Sequence, residues 1–305
     1  MIYDVIIIGS GPAGLTASIY AKRAQLKSLV IEKAAFSGGQ VINTYEVDNY
    51  PGTPGISGFD LSSKFREHSD KLGAEFITDE VSKLELDGEI KVLTLSDGKE
   101  YRAKAVIIAT GGEARRLGVK GEEELAGAGV SYCATCDGAF FKDKVTAVIG
   151  GGDTAVEEAI FLSRICKKVY LIHRRDELRA NKGISNKILE TDNVTILWDT
   201  VVEGIKGDGR VESLDLKNVK SGENTEVELE GVFIAVGYLP NSEAFKDVVD
   251  LDQNGYIVAD ETCQTSVPGI FAAGDIRTKE LRQIVTAASD GANAITGVEK
   301  YLNNL

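Results

Sequence analysis

The sequence predicts an α/β fold of two related halves, one inserted into the other, and three observations carry that reading. A strand that runs into a glycine-rich turn and a helix occurs near the N-terminus and again in mid-chain. Each copy leads on to a second apolar strand and then to a stretch of alternating polar and apolar residues. A C-terminal segment too short for a domain is left over to complete the first half. The chain has 305 residues, 43% hydrophobic and 27% charged, with 33 glycines against 5 prolines. That length favours about two domains, and the composition argues against disordered, collagenous and disulfide-knot chains.

The first strand is Tyr3-Asp4-Val5-Ile6-Ile7-Ile8, whose β-branched run reads as a buried parallel strand. The turn is Gly9-Ser10-Gly11-Pro12-Ala13-Gly14, and a helical stretch follows from Leu15 to about Gln25. A second strand, Ser28-Leu29-Val30-Ile31, ends in Glu32 with Lys33 beside it. This is the full strand–glycine–helix–strand–acid unit of a Rossmann-like dinucleotide-binding domain. Gly9 is expected to make the tight turn, Gly11 to let backbone approach a pyrophosphate, and Gly14 to let helix and strand pack closely. The helix start offers N–H groups to phosphate, and Glu32 can accept from ribose hydroxyls.

The second copy has its first glycine, Gly150, 141 positions after Gly9. Val145-Thr146-Ala147-Val148-Ile149 is the strand, Gly150-Gly151-Gly152-Asp153-Thr154-Ala155 the turn, Val156–Leu162 the helix and Lys168–Ile172 the next strand. Glu32 lies 23 positions beyond Gly9; the same step from Gly150 reaches His173, followed by Arg174, Arg175 and then Arg179. A carboxylate repels a 2′-phosphate, whereas guanidinium groups bind it by charge-assisted hydrogen bonds. The first site therefore suits a nucleotide with free ribose hydroxyls and the second suits NADPH. Ala105–Gly111 and Val232–Gly237 are matching apolar strands ending in glycine, each closing a stretch expected to form short antiparallel strands, about 75–104 and about 194–231. The C-terminal segment holds a strand from Val267 ending in Gly274-Asp275, then a helix from about Gln283.

Between the halves lies Cys133-Ala134-Thr135-Cys136-Asp137. A Cys-x-x-Cys pair forms a small, easily reduced disulfide. A zinc site would need two further soft ligands, and no second Cys-x-x-Cys exists, so no metal is expected. A reducing cytosol argues against a purely structural bridge. Asp137, beside Cys136, is the nearby candidate general acid. NADPH delivers two electrons and a disulfide accepts two; a flavin bridges them, which assigns FAD to the first site. The expected architecture is thus two Rossmann-like domains with the NADPH domain inserted into the FAD domain: residues 1–115 and 242–305 for FAD, and 116–241 for NADPH and the cysteine pair.

The net charge of -13 disfavours nucleic acid as a partner. No apolar run approaches the roughly 18 residues of a membrane span. Asp4 interrupts the first apolar run, which argues against a signal peptide. With only four cysteines, a cytoplasmic protein is expected.

Taken in order, these landmarks make the whole chain resemble the low-molecular-weight bacterial thioredoxin reductases. The resemblance is carried by Gly9 to Gly14, Gly38-Gly39-Gln40, Asn49-Tyr50-Pro51-Gly52, Ala109-Thr110-Gly111, Cys133 to Asp137, Gly150 to Ala155, His173-Arg174-Arg175 with Arg179, and Gly274-Asp275 with Arg282-Gln283. It implies reduction of a thioredoxin disulfide by NADPH through FAD, in a homodimer. It further implies that Gln40 and Asn49 lie along the flavin, that Asp275 binds the ribityl chain, and that Gln283 begins the helix facing the isoalloxazine. Cys136 would approach the flavin, Cys133 would attack thioredoxin and Asp137 would manage protons. The inserted half would rotate about linkers near Glu113–Leu117 and Leu239–Ser242. Two departures stand out: Asp153 replaces a common asparagine, opposing pyrophosphate unless its carboxylate faces away, and the acid at Glu32 varies in the family.

Nearby relatives differ at readable points. The flavoprotein that reduces peroxiredoxins carries an N-terminal dithiol domain, which is not expected here because the first strand begins at Tyr3. A ferredoxin–NADP reductase lacks the Cys-x-x-Cys. A ferredoxin-fed enzyme or a dithiol oxidase lacks the arginines. A dinucleotide-occupied redox sensor would need no productive hydride path. Elsewhere, Glu122-Glu123-Glu124 reads as a solvated turn, Cys166 as a small core residue, His68 as exposed, and Arg115, Arg116 and Lys120 as a basic edge facing an acidic partner or a plain surface patch. Cys263 has no partner visible in sequence.

Overall fold

The structure is a computed structural model that describes every residue except Tyr45. In chain order the first stretch contains β1 (Ile2–Ile8), α1 (Pro12–Arg23), β2 (Ser28–Glu32), α2 (Gly58–Lys71), β3 (Glu75–Thr78), β4 (Val81–Asp87), β5 (Ile90–Leu95) and β6 (Glu100–Ile108). A short strand, β7 (Gly112–Ala114), leads into β8 (Val130–Ser131), α3 (Ala134–Asp137), β9 (Val145–Ile149), α4 (Asp153–Ser163), β10 (Lys168–Ile172), α5 (Lys182–Leu189) and β11 (Val194–Leu197). Then come β12 (Thr200–Lys206), β13 (Ser213–Asn218), β14 (Asn224–Glu228) and β15 (Gly231–Ile234). The return passes β16 (Tyr238–Pro240) to β17 (Ile270–Ala272) and α6 (Ile284–Leu302).

Two compact units result. One comprises Met1–Glu113 with Leu239–Leu305, the other Ala114–Tyr238. These crossovers fall two and three residues before the positions expected from sequence, and backbone bonding explains the difference. Asn241 N–H donates to the Gly111 carbonyl at 3.0 Å, which ties Asn241 to the first unit. Arg115 N–H donates to the Gly237 carbonyl at 2.9 Å, which ties Arg115 to the second.

In the first unit the sheet order is β3-β2-β1-β6-β5-β4, with β17 also paired to β6. The β1, β2, β3, β6 and β17 pairings are parallel, while β4–β5 and β5–β6 are antiparallel. Alternate residues of the central strands feed two cores: Ile6, Ile8, Leu29 and Ile31 on one face, Val5, Ile7, Val30 and Ile107 on the other. A sheet buried on both faces needs continuous apolar strands, which is what Val5–Ile8 supplies. The leftover C-terminal segment does complete this unit. A Cβ at Gly291 of α6 would lie 2.2 Å from the Ala13 carbonyl oxygen, so α6 packs against α1 at backbone distance.

In the second unit a five-stranded parallel sheet, β11-β10-β9-β15-β8, is accompanied by the antiparallel ladder β12-β13-β14. The expected antiparallel stretches therefore begin too early in both halves. Their first strands, β3 and β11, extend the parallel sheets instead. Alternation reports that one face is more exposed than the other; an edge strand of a parallel sheet shares that property. No helix among the described residues is long and apolar enough to cross a membrane.

Candidate active site

At the first turn, Gly9 has φ +100°, and a Cβ there would lie 2.4 Å from the Ala109 carbonyl oxygen. A Cβ at Gly14 would sit 1.9 Å from the Gly9 oxygen, so helix and turn touch backbone to backbone. Gly11, by contrast, faces open space, and it caps α1 with no side-chain bond, with Pro12 inside the first turn and no acid there. Open space at Gly11 beside a helix start without a side-chain cap is the arrangement that binds pyrophosphate.

Glu32 is more occupied than its sequence position implies. Its Oε2 accepts Ser10 N–H at 2.6 Å and Ser10 Oγ–H at 2.7 Å, and its Oε1 accepts Ala34 N–H at 2.8 Å. An ionised carboxylate offers about four acceptor positions, which leaves one for a ribose hydroxyl. Lys33 is exposed and 3.8 Å from Glu113.

The remaining first-unit candidates lie on four further segments. Gly38 has φ +129°, and its N–H reaches the Ser10 carbonyl at 2.8 Å, which brings Gly38-Gly39-Gln40 to the first turn. Gln40 Nε2 donates to the Gly112 carbonyl. Thr110 Oγ1 donates to the Asn241 carbonyl at 2.9 Å, and Asn241 Nδ2 returns a bond to the Thr110 carbonyl at 3.1 Å, so that hydroxyl already serves the fold. Gly111 has φ +59°. Asn49 Nδ2 donates to Gln283 Oε1 at 2.9 Å, and Gln283 caps α6 in a reciprocal box with Thr286. Arg282 stacks 4.0 Å over the Tyr256 ring and donates to the Asp275 carbonyl at 3.4 Å.

Asp275 carries the most telling unpartnered atom of this unit. Its Oδ1 is buried with no hydrogen-bond partner, and burial pushes its carboxyl above the usual range. Buried polar atoms normally have partners, so a polar ligand group at this point satisfies the site. The backbone under Asp275 is fixed by residues that sequence did not single out. Asp290 of α6 accepts Gly274 N–H at 2.9 Å and also receives Arg277 Nε at 2.9 Å and Lys279 Nζ at 2.8 Å, all deeply buried.

In the second unit, Gly150 has φ +152° and would place a Cβ 2.4 Å from the Ala235 carbonyl oxygen. A Cβ at Gly151 would lie 2.2 Å from the His173 ring. His173 is buried, its Nε2 bonded to the Glu177 carbonyl at 2.9 Å. Burial, reinforced by the neighbouring arginines, lowers its pKa, so it acts as a neutral wedge under the turn rather than as a fourth charge beside Arg174, Arg175 and Arg179. Arg179 N–H reaches the Gly151 carbonyl at 2.7 Å, joining the arginine segment to the glycine turn. Arg174, Arg175 and Arg179 are exposed, as is Thr154. Gly152 faces open space at the cap of α4. Asp153 Oδ1 accepts Asn181 N–H at 2.7 Å and Asn181 Nδ2–H at 3.2 Å. Its carboxylate is thereby committed to the cap of α5 and not left loose at the turn.

Cys133 and Cys136 are joined by a disulfide, with Cα atoms 5.3 Å apart, at the start of the one-turn helix α3. Ser131 organises this turn. Its Oγ donates to Asp137 Oδ2 at 2.6 Å and accepts Cys133 N–H at 3.1 Å. Burial raises the Asp137 carboxyl, partly opposed by that Ser131 bond. A second carboxyl, absent from the sequence-based candidates, lies against the same helix. Glu158 of α4 accepts Ala134 N–H at 3.1 Å through Oε1, while its Oε2 is buried without a partner. Burial pushes its pKa up to about 7. The signal was present: Ala155, Glu158, Ala159 and Leu162 share one helical face.

Other residues divide. Cys166 is buried in the core of the second unit and His68 is exposed, as expected. The acidic triplet is not a solvated turn throughout. Glu123 and Glu124 are exposed, but Glu122 is 1% exposed and accepts Leu117 N–H, Gly118 N–H and Tyr132 O–H. Those three donors compensate its burial. Cys263 is fully buried at φ +65°, its thiol pushed by burial up to about 12, which makes it inert.

The pyridine nucleotide-disulphide oxidoreductase family matches residues 3–291. The chain is 48% identical over 308 residues to a thioredoxin reductase of Peptoclostridium acidaminophilum, covering 99% of this chain and 97% of that one. It is 47% identical over 305 residues to the thioredoxin reductase of Bacillus subtilis, covering 100% and 96%. Among solved structures, thioredoxin reductase from Streptococcus pyogenes MGAS5005 aligns with a TM-score of 0.93 at 48% identity, over 100% of this chain and 99% of that one.

Proposed function

This chain belongs to the pyridine nucleotide-disulphide oxidoreductase family, and from that premise we propose that it is an NADPH-dependent thioredoxin-disulfide reductase. The observation that carries the reading is the Cys133–Cys136 disulfide, in a chain with two dinucleotide turns of opposite charge character. FAD suits the first turn and NADPH the second; bound together they supply a two-electron relay between nicotinamide and disulfide. We assign the partner as thioredoxin, the assembly as a homodimer and the setting as the cytoplasm.

The chain's own residues then divide the work. The open edge at Gly11 and the bare N-terminus of α1 receive the FAD pyrophosphate. Glu32 offers its remaining acceptor position to ribose, and the unpartnered Asp275 Oδ1 accepts from a ribityl hydroxyl. On the other side, Gly152 admits the NADPH pyrophosphate while Arg174, Arg175 and Arg179 take the 2′-phosphate. Once the pair is reduced, Cys133 as thiolate attacks the thioredoxin disulfide, forming a mixed disulfide and releasing one thioredoxin thiolate. Cys136 then displaces the second thioredoxin sulfur and restores the Cys133–Cys136 bond. To Asp137, held by Ser131 and with its carboxyl pKa raised by burial, we assign the exchange of protons with the pair.

Anaerobic titration of the purified yellow protein tests this. NADPH bleaches the flavin in preference to NADH, and oxidised thioredoxin restores the colour. Cys133→Ser leaves bleaching intact and stops thioredoxin turnover. A colourless protein unable to take up FAD, or a Cys133→Ser variant that still turns over, refutes the assignment.

A further inference from the structure

The turn that carries the two adjacent arginines is crowded with acid. Asp176 follows Arg175 directly, and Asp199 is held beside it because Asp199 N–H donates to the Arg175 carbonyl at 3.1 Å. Both carboxylates converge on one cation. Lys220 Nζ lies 2.7 Å from Asp176 Oδ2 and 3.1 Å from Asp199 Oδ1. Backbone geometry delivers this lysine: it sits in the turn between β13 and β14, where Val219 N–H donates to the Asp199 carbonyl at 2.6 Å and Asn218 Oδ1 accepts Lys220 N–H at 3.0 Å. Among the described residues, no carboxylate lies within ion-pair distance of Arg174, Arg175 or Arg179.

We propose that Lys220 is a specificity-determining residue for the nicotinamide cofactor: by neutralising Asp176 and Asp199 it keeps the arginine turn free for the 2′-phosphate of NADPH. The proposal rests on the assignment of Arg174, Arg175 and Arg179 to that phosphate. An exposed ion pair contributes little to stability, so the fold alone does not call for Lys220. The phosphate does. With no lysine, two carboxylates flank the turn, compete for the guanidinium donors and repel an incoming dianion. Asp199 is only 16% exposed, so it cannot swing away into solvent. NADH lacks the 2′-phosphate and is indifferent to the whole arrangement. Asp176 adjoins Arg175 in the chain and Asp199 N–H is bonded to the Arg175 carbonyl, so these charges act at short range and the effect is several-fold and screened by salt.

The test measures kcat/KM for NADPH and for NADH in the full-length FAD-loaded enzyme with thioredoxin as acceptor. Lys220→Met is expected to lower the NADPH-to-NADH ratio about fivefold, almost entirely through KM for NADPH, and the loss shrinks at high salt. Lys220→Arg retains the ratio. Adding Asp176→Asn and Asp199→Asn to Lys220→Met restores most of it; asparagine tolerates the φ of +52° at position 199. A parallel fall with both nicotinamides overturns the proposal, since that pattern marks a structural role. An unchanged ratio in Lys220→Met overturns it too, provided a variant with all three arginines neutralised does lose the preference. If the arginine variant keeps its preference, the underlying phosphate assignment fails instead.

Discussion

Glu158 gives a prediction whose size and sign can be worked out from its surroundings. It is a carboxyl buried under the redox helix, with one oxygen bonded to Ala134 N–H and the other bonded to nothing. Folding raises its pKa from an ordinary value of 4.5 to about 7. The folded state therefore holds a proton that the unfolded state has lost between those two values. Stability falls as pH rises through that window, and the loss is nearly complete by about pH 8. The full penalty is about 3 kcal/mol, most of which develops between about pH 5 and about pH 8. Glu158→Gln keeps an oxygen for Ala134 N–H and removes the charge. Its amide adds an unpaired donor costing about 1–3 kcal/mol, but that offset does not vary with pH. The stability difference between variant and parent is thus expected to move in favour of the variant by about 2–3 kcal/mol across that pH range. Urea unfolding of the holoenzyme, followed by the fluorescence of Trp198, reads this directly, because the chain's single tryptophan lies in the same unit as Glu158. A difference that stays flat with pH refutes the reasoning.

Two further perturbations follow from the packing. Gly151→Ala places a methyl 2.2 Å from the His173 ring, and the ring must move; the Michaelis constant for NADPH is expected to rise about tenfold, from about 1–3 kcal/mol of overpacking strain, with FAD content unchanged on the absorption spectrum. Asp290→Ala strands Lys279 and leaves Arg277 with only its 3.4 Å contact to the exposed Glu261 as an ion pair, and the two side chains are 6% and 2% exposed. A buried charge left unpaired costs about 3–5 kcal/mol, so the melting temperature drops by about 10 °C and FAD is released before the rest of the chain unfolds. Retention of FAD up to an unchanged melting point contradicts the second.

What the sequence made legible was what backbone geometry demands locally. Gly9, Gly14 and Gly150 cannot carry a Cβ without striking a carbonyl oxygen, so the turns announce themselves as glycine at fixed spacing. The cysteine pair is equally local, and so is the exchange of an acid for arginines after the second strand. Strand partners were less legible. β3 and β11 looked like the ladders that follow them, because pairing direction is settled by the crossover and not by the strand's own residues.

The residues that escaped share one physical role, and it explains why they escaped. Glu122, Glu158 and Asp290 each accept backbone N–H groups, from Leu117 and Gly118, from Ala134 and from Gly274 respectively. Glu32 and Asp153, which the sequence did single out, do the same with Ser10 and Asn181. In composition these five are indistinguishable from the other acids that give the chain its charge of -13. Each nevertheless fixes a segment beside a candidate functional group: the first glycine turn for Glu32, the segment after Arg179 for Asp153, Tyr132 next to Cys133 for Glu122, the redox helix for Glu158 and the turn of Asp275 for Asp290. Satisfying an N–H requires only that a carboxylate arrive at one place in the fold, from any distance along the chain; the step from Asp290 to Gly274 is 16 residues and that from Glu158 to Ala134 is 24. No local period encodes such an arrival. Where a site depends on loops rather than on strands and helices, the acids that bind those loops are where reading a sequence gives way to reading a structure.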